Sequence, residues 1–106
     1  MLFEKIRKKP VTKSVDELRA IVAPIAKRNK IAHVSLFGSR ARGDFKEESD
    51  YDFLILSESD ASLMDLGRFV TDMQDALGKP ISIANERSGN EVFLNSIRDD
   101  LIEIYA

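Results

Sequence analysis

Apolar positions change their spacing several times along this chain, and each change marks an element. Val15, Leu18, Ile21, Val22 and Ile25 recur three and four residues apart, the period of a helix with one buried face. Ser14-Val15-Asp16-Glu17 stands at its start and fits a capping box, in which the serine hydroxyl and the glutamate carboxylate satisfy each other's backbone amides. Pro24 lies inside the stripe and lacks an amide hydrogen, so it predicts a kink or an early end. The pattern then becomes short and β-prone. Residues 31–37 (IAHVSLF) and 50–56 (DYDFLIL) read as strands, with Gly38-Ser39-Arg40-Ala41-Arg42-Gly43 opening a short helix between them and a polar loop following it. From about residue 60 the helical period returns in Leu63, Leu66, Val70, Met73 and Leu77, ended by Gly78 and Pro80. Residues 80–84 (PISIA) predict a third, short strand. Ser88-Gly89-Asn90-Glu91 fits a second capping box, and Phe93, Ile97, Leu101 and Ile104 predict a C-terminal helix. The expected fold class is α/β (α+β): a small mixed sheet of about three strands packed against four to five helices.

Composition narrows the chemistry. A length of 106 residues holds one domain, expected over 14–106 behind a charged arm at 1–13. With 43% hydrophobic and 32% charged residues, the chain has enough apolar surface to bury a core. There is no cysteine, which excludes a disulfide scaffold, a thiolate zinc site and a cysteine nucleophile. The single histidine, His33, excludes a multi-histidine metal site and reads as a sheet residue. Sixteen basic and 18 acidic residues give a net charge of −2, so no basic excess points to nucleic acid. No apolar run approaches the roughly 20 residues of a membrane span. No apolar stretch follows the charged residues 4–9, so they do not read as a signal peptide, and a cytoplasmic location is expected.

Two features carry chemistry. Gly38-Ser39 ends a strand and opens a helix, where glycine permits close backbone approach and the outward amides, with the Ser39 hydroxyl, can hold an anion. Asp50-Tyr51-Asp52 begins the next strand, and side chains two apart share a face. Two carboxylates that close repel unless a cation lies between them, and hard oxygen ligands suit Mg²⁺ held jointly with substrate phosphates. Each feature alone is common in loops and strand edges. Together, on successive strands, they describe a nucleotide site.

Gly38-Ser39, ten residues, then Asp50-x-Asp52 resembles the signature of the DNA polymerase β-type nucleotidyltransferase superfamily. The fuller string from Leu36 to Gly43 and from Ser49 to Phe53 is similar to its minimal nucleotidyltransferase (MNT) branch. The resemblance implies that Gly38 and Ser39 bind the triphosphate of ATP, and that Asp50 and Asp52 are the catalytic carboxylates and Mg²⁺ ligands; Arg40 is a further candidate for the nucleotide, with a solvated loop charge as the first reading of its side chain. It implies transfer of a nucleoside monophosphate with release of pyrophosphate. Relatives that consist of this domain alone are often antitoxins that place AMP on a small helical HEPN toxin, so such a partner is expected, in a homo- or hetero-oligomer, with no direct nucleic-acid binding. The superfamily also carries a third carboxylate on the next strand, and Ser82 falls at that position here. This departure supports an alternative, a catalytically impaired protein that masks its partner. A third reading is a small-molecule nucleotidyltransferase subunit. Glu86 and a partner residue are the candidates for replacing the missing acid.

Elsewhere, Arg42 is expected to hold the turn by pairing with a carboxylate or the chain, and Lys46 to be a solvated loop charge. Tyr51, Tyr105, Met64, Phe69 and Met73 are expected to pack, and Arg87 follows the third strand.

Overall fold

The computed structural model describes residues 13–106, so the expected charged arm lies, but for Lys13, outside the described residues. The chain alternates helices and strands: α1 (Val15–Arg28), β1 (Ile31–Phe37), α2 (Ser39–Arg42), β2 (Tyr51–Ser57), α3 (Leu63–Leu77), β3 (Ile81–Asn85), α4 (Glu91–Ile97), a 3₁₀ turn (Arg98–Asp100) and β4 (Ile102–Tyr105). The strands form one mixed sheet in the order β3-β2-β1-β4, with β2 parallel to β3 and β1 antiparallel to both β2 and β4. The predicted α/β class stands, with one strand more than expected.

The capping box at Ser14 forms as predicted, with the hydroxyl accepting from the Glu17 amide at 3.1 Å and Glu17 accepting from the Ser14 amide at 2.8 Å. The expected early end at Pro24 does not occur: α1 runs on to Arg28. Pro24 lies on the exposed side, where water can take the carbonyl left without a donor. Leu18, Val22, Ile25 and Ala26 face inward. A second capping box, Ser62 with Asp65, opens α3. Its buried stripe is Asp65, Phe69, Met73 and Leu77; Met73 and Leu77 of the expected stripe are buried and Leu66 packs against the core, whereas Leu63 does not. Leu63 and Met64 are exposed at 84% and 72%, because both fall in the first turn, off the face that meets the sheet. The packing role expected of Met64 is therefore corrected, whereas Phe69 and Met73 are fully buried.

The largest correction is at the C-terminus. The helix expected through Ile104 stops at Ile97, and Ile102–Tyr105 become a strand beside β1. Its cap is Asn90, whose side chain accepts from the Phe93 amide at 2.8 Å, rather than Ser88. Residues 93, 97 and 101 satisfy helical spacing, but Ile102 to Tyr105 also alternate β-branched and polar residues, and an open sheet edge at β1 offers them a full hydrogen-bond ladder.

One face of the sheet, through Val34, Leu36, Tyr51, Phe53, Ile55, Ile81 and Ile83, packs under α1 and α3. Phe53 and Phe69 are wholly buried, and truncating either to alanine would cost about 3–5 kcal/mol. The opposite face presents Ser35, Phe37, Asp52 and Ser82. It is partly covered by α4, whose Phe93 meets Phe37 edge-on with ring centroids 5.8 Å apart.

Candidate active site

Gly38 ends β1 and caps α2 with φ 77° and ψ −158°, a conformation that is essentially glycine-only. Its carbonyl accepts from the amides of Ala41 and Arg42 at 3.1 and 3.0 Å, which winds the chain into α2. At four residues this helix has little macrodipole, but its first turn presents amides that have no partner within the helix. Ser39 stands at that first turn, so the predicted phosphate-binding turn has the expected backbone form.

The structure brings Asp52 to this turn. Asp52 pairs across the sheet with Phe37, the residue before Gly38, and a β-carbon built on Gly38 would stand 2.5 Å from Asp52 Oδ2. Asp50 lies just before β2 and is exposed, whereas Asp52 is half-buried. Burial first, and the neighbouring Asp50 second, push the Asp52 carboxyl above its ordinary range; Arg42 opposes the shift. A cation between the two carboxylates would relieve that strain. Ser82 is the β3 residue directly paired with Asp52 and is exposed, as the predicted register required. Among the described residues, no group of three or more acidic or histidine side chains is placed to hold a metal, so the carboxylates number two where Ser82 stands third. Hard oxygens from Asp50 and Asp52, completed by substrate phosphates, still fit Mg²⁺. Glu86 follows β3 four residues beyond Ser82, roughly 13 Å further along the strand, which places its backbone far from the pair.

Arg40 occupies a different place from the one expected. It is 7% exposed, with its guanidinium 4.6 Å from the Phe45 ring centroid and 4.4 Å from that of Tyr51. It donates to the backbone carbonyls of Lys46, Glu47 and Ser49 at 3.0–3.4 Å. The loop between α2 and β2 is wrapped around this side chain. Arg42 behaves as predicted, pairing with Asp100 at 2.9 Å and Asp44 at 3.3 Å. Arg87 donates from Nε to the Ser57 carbonyl at 2.6 Å, at the end of β2 away from Asp50. His33 is exposed, Tyr105 packs partly against the core, and Lys46 is exposed as expected. The roles of Phe45 and Asp100 were not legible in sequence, since neither is at a fixed spacing from the residues it touches.

The chain belongs to the nucleotidyltransferase family described as Polymerase beta, Nucleotidyltransferase, whose pattern matches residues 20–106. A Methanocaldococcus jannaschii protein provisionally named a protein adenylyltransferase is 28% identical over 91 residues, 86% of this chain and 98% of the relative. A second from that organism, with the same provisional name, is 30% identical over 97 residues, 87% of this chain and 99% of the relative. A solved structure described as a minimal nucleotidyltransferase superposes with a TM-score of 0.74 at 28% identity, covering 85% of this chain and 95% of that one. The fold is also shared with the MNT antitoxin solved in complex with a tri-AMPylated Shewanella oneidensis HEPN toxin. That match has a TM-score of 0.66 at 15% identity and covers 88% of this chain and 73% of that one.

Proposed function

We propose that this chain is a Mg²⁺-dependent nucleotidyltransferase that moves AMP from ATP to a partner protein, in the manner of an MNT antitoxin acting on a HEPN-like toxin. The observation that carries the reading is the seating of Asp52, one of the two carboxylates, against the Gly38 turn. The provisional names of the two relatives and the AMPylated complex support the choice of AMP and of a protein acceptor. Gly38 and Ser39 would hold the outer phosphates. Asp50 and Asp52 would hold Mg²⁺, which when bound supplies Lewis-acid stabilisation of the phosphate charge. Gly38, by lacking a side chain, lets the Asp52 carboxylate stand against the turn that would hold the triphosphate. In-line placement of an acceptor hydroxyl over this face would supply much of the catalysis.

Ser82 favours a second reading, in which the chain binds Mg²⁺-ATP and its partner but transfers slowly. A hydroxyl is a far weaker base and ligand than the carboxylate of the family pattern, and general-base help is worth roughly 10²–10⁴-fold. Incubation of the chain with α-labelled ATP, Mg²⁺ and the product of the adjacent gene separates the readings. Label on the partner supports transfer. Metal-dependent ATP binding without label supports the second reading, and neither result would defeat both.

A further inference from the structure

The geometry points to Arg40 as the positioning residue that sets Asp50 against the phosphate-binding turn. This deepens the reading of Asp50 as a metal ligand and rests on it.

Asp50 lies outside β2 and has no strand ladder to hold it. One side chain reaches both of its neighbours. Its predecessor, Ser49, offers a carbonyl that accepts from both Nε and Nη2 of Arg40, at 3.1 and 3.0 Å. Its successor, Tyr51, is buried and lays its ring 4.4 Å from the same guanidinium. Arg40 therefore contacts both chain neighbours of Asp50: it ties Ser49 by hydrogen bonds and docks that end of the loop on Tyr51, which β2 already holds opposite Ile81. A second ring, Phe45, lies with its centroid 4.6 Å from the guanidinium, and Nη2 reaches the carbonyls of Lys46 and Glu47, so the rest of the loop is tied to the same group. A reciprocal turn completes the enclosure: the Lys46 amide donates to Ser49 Oγ at 2.8 Å, and the Ser49 amide to the Lys46 carbonyl at 3.0 Å.

Arg40 also belongs to α2, in the turn that begins at Gly38. The planar fork thus ties the phosphate half of the site to the metal half. Lysine is a poor substitute, because a single ammonium has neither the fork geometry nor the flat faces for two rings.

The test is the Mg²⁺ concentration that half-saturates ATP binding, measured by titration calorimetry on the full chain. Arg40→Lys and Arg40→Met are compared with wild type, with circular dichroism and thermal midpoint recorded for each. The half-saturating Mg²⁺ should rise roughly tenfold or more in both variants, the scale of losing a group that orients a metal ligand. In the Asp50→Asn background, Arg40→Lys should add little, because its effect passes through Asp50. A residue that merely supported the fold would give additive losses in that cycle. Phe45→Leu, which uncovers one face of the guanidinium and leaves its hydrogen bonds, should raise half-saturating Mg²⁺ severalfold and decides the matter if the Arg40 variants do not fold. Wild-type-like Mg²⁺ dependence in folded Arg40 variants, additivity in the cycle, or no change in Phe45→Leu where it has to decide, would overturn the inference. Absence of any Mg²⁺ dependence in wild type would instead overturn the metal reading.

Discussion

The Asp52 carboxylate lies so close to the backbone of Gly38 that the space a β-carbon would need, 2.5 Å from Oδ2, is already filled. Two separate restrictions meet at this glycine. Its φ of 77° with ψ of −158° excludes ordinary side chains, at a cost of order 1–3 kcal/mol, and its missing side chain admits the carboxylate. Gly38→Ala should therefore lower the thermal midpoint and weaken Mg²⁺-ATP binding by tenfold or more, because relief of the clash moves Asp52 off the turn. Calorimetry of ATP binding beside a thermal melt checks both effects. A variant with wild-type affinity would mean that the two residues do not form one site.

The acidic pair should show opposite effects on stability and on binding. Asp52 has a carboxyl pushed up by burial and then by Asp50, so the folded chain holds its proton more tightly than the unfolded chain does. The stability linked to the protonated form is complete below the unfolded value and is lost as pH rises through the raised folded value. At neutral pH the carboxylate is thus unfavourable to the metal-free fold. Asp52→Asn should hold or raise the thermal midpoint of metal-free protein at pH 7–8, while Asp50→Asn with Asp52→Asn abolishes Mg²⁺-dependent ATP binding. A marked fall in the metal-free midpoint for Asp52→Asn would show that the charge is structurally needed.

Ser82 gives a gain-of-function test. It pairs directly with Asp52 across two parallel strands, and side chains at paired positions point the same way. Ser82→Asp should add a third oxygen ligand on that face and raise nucleotidyl transfer, or metal affinity, by at least roughly tenfold. The comparison is transfer rate at saturating Mg²⁺-ATP for the two chains. Brisk turnover by wild type would show that the base comes from elsewhere, such as the acceptor protein.

The sequence made most of this site legible because its parts are local. Gly38, Ser39, Asp50 and Asp52 sit at fixed spacing where one strand ends and the next begins, and the family resemblance placed Ser82 on the third strand, on the face that alternation gives it. Arg40 was harder. A cation two residues beyond Gly38 in a strand-to-helix turn looks like a phosphate ligand, and only the fold of a loop without periodicity reveals that it packs on Phe45 and Tyr51. The C-terminal strand was hidden for a related reason. Phe93, Ile97 and Leu101 fit a helix locally, and what turns the following residues into a strand is the free edge of β1, distant in sequence. In α3, Leu63 and Met64 suggested a longer apolar stripe, but Asp65 takes the inward position because it closes the capping box with Ser62 and also pairs with Arg68.

The fold's acid sensitivity should trace in part to the junction of α1 with α3. Asp72 on α3 accepts from the Asn29 side chain at 3.0 Å and from Arg28 at 3.1–3.2 Å, and Asn29, buried just after α1, also donates to the Ile25 carbonyl. The Asn29 hydrogen bond first, and then Arg28, hold the Asp72 carboxyl below its ordinary range despite some burial. A depressed folded value favours the charged form on folding, so its stabilisation is present above the unfolded carboxylate value of about 3.9 and is lost as pH falls through the lower folded value. Asp72→Asn keeps an acceptor oxygen but removes the charge. Its urea midpoint should lie below that of wild type at pH 7, and the two should converge as pH falls through the lowered folded value. Measuring both midpoints from pH 7 to pH 2 checks this. Parallel curves across that range would show that the ion-paired charge at Asp72 does not stabilise the helix junction.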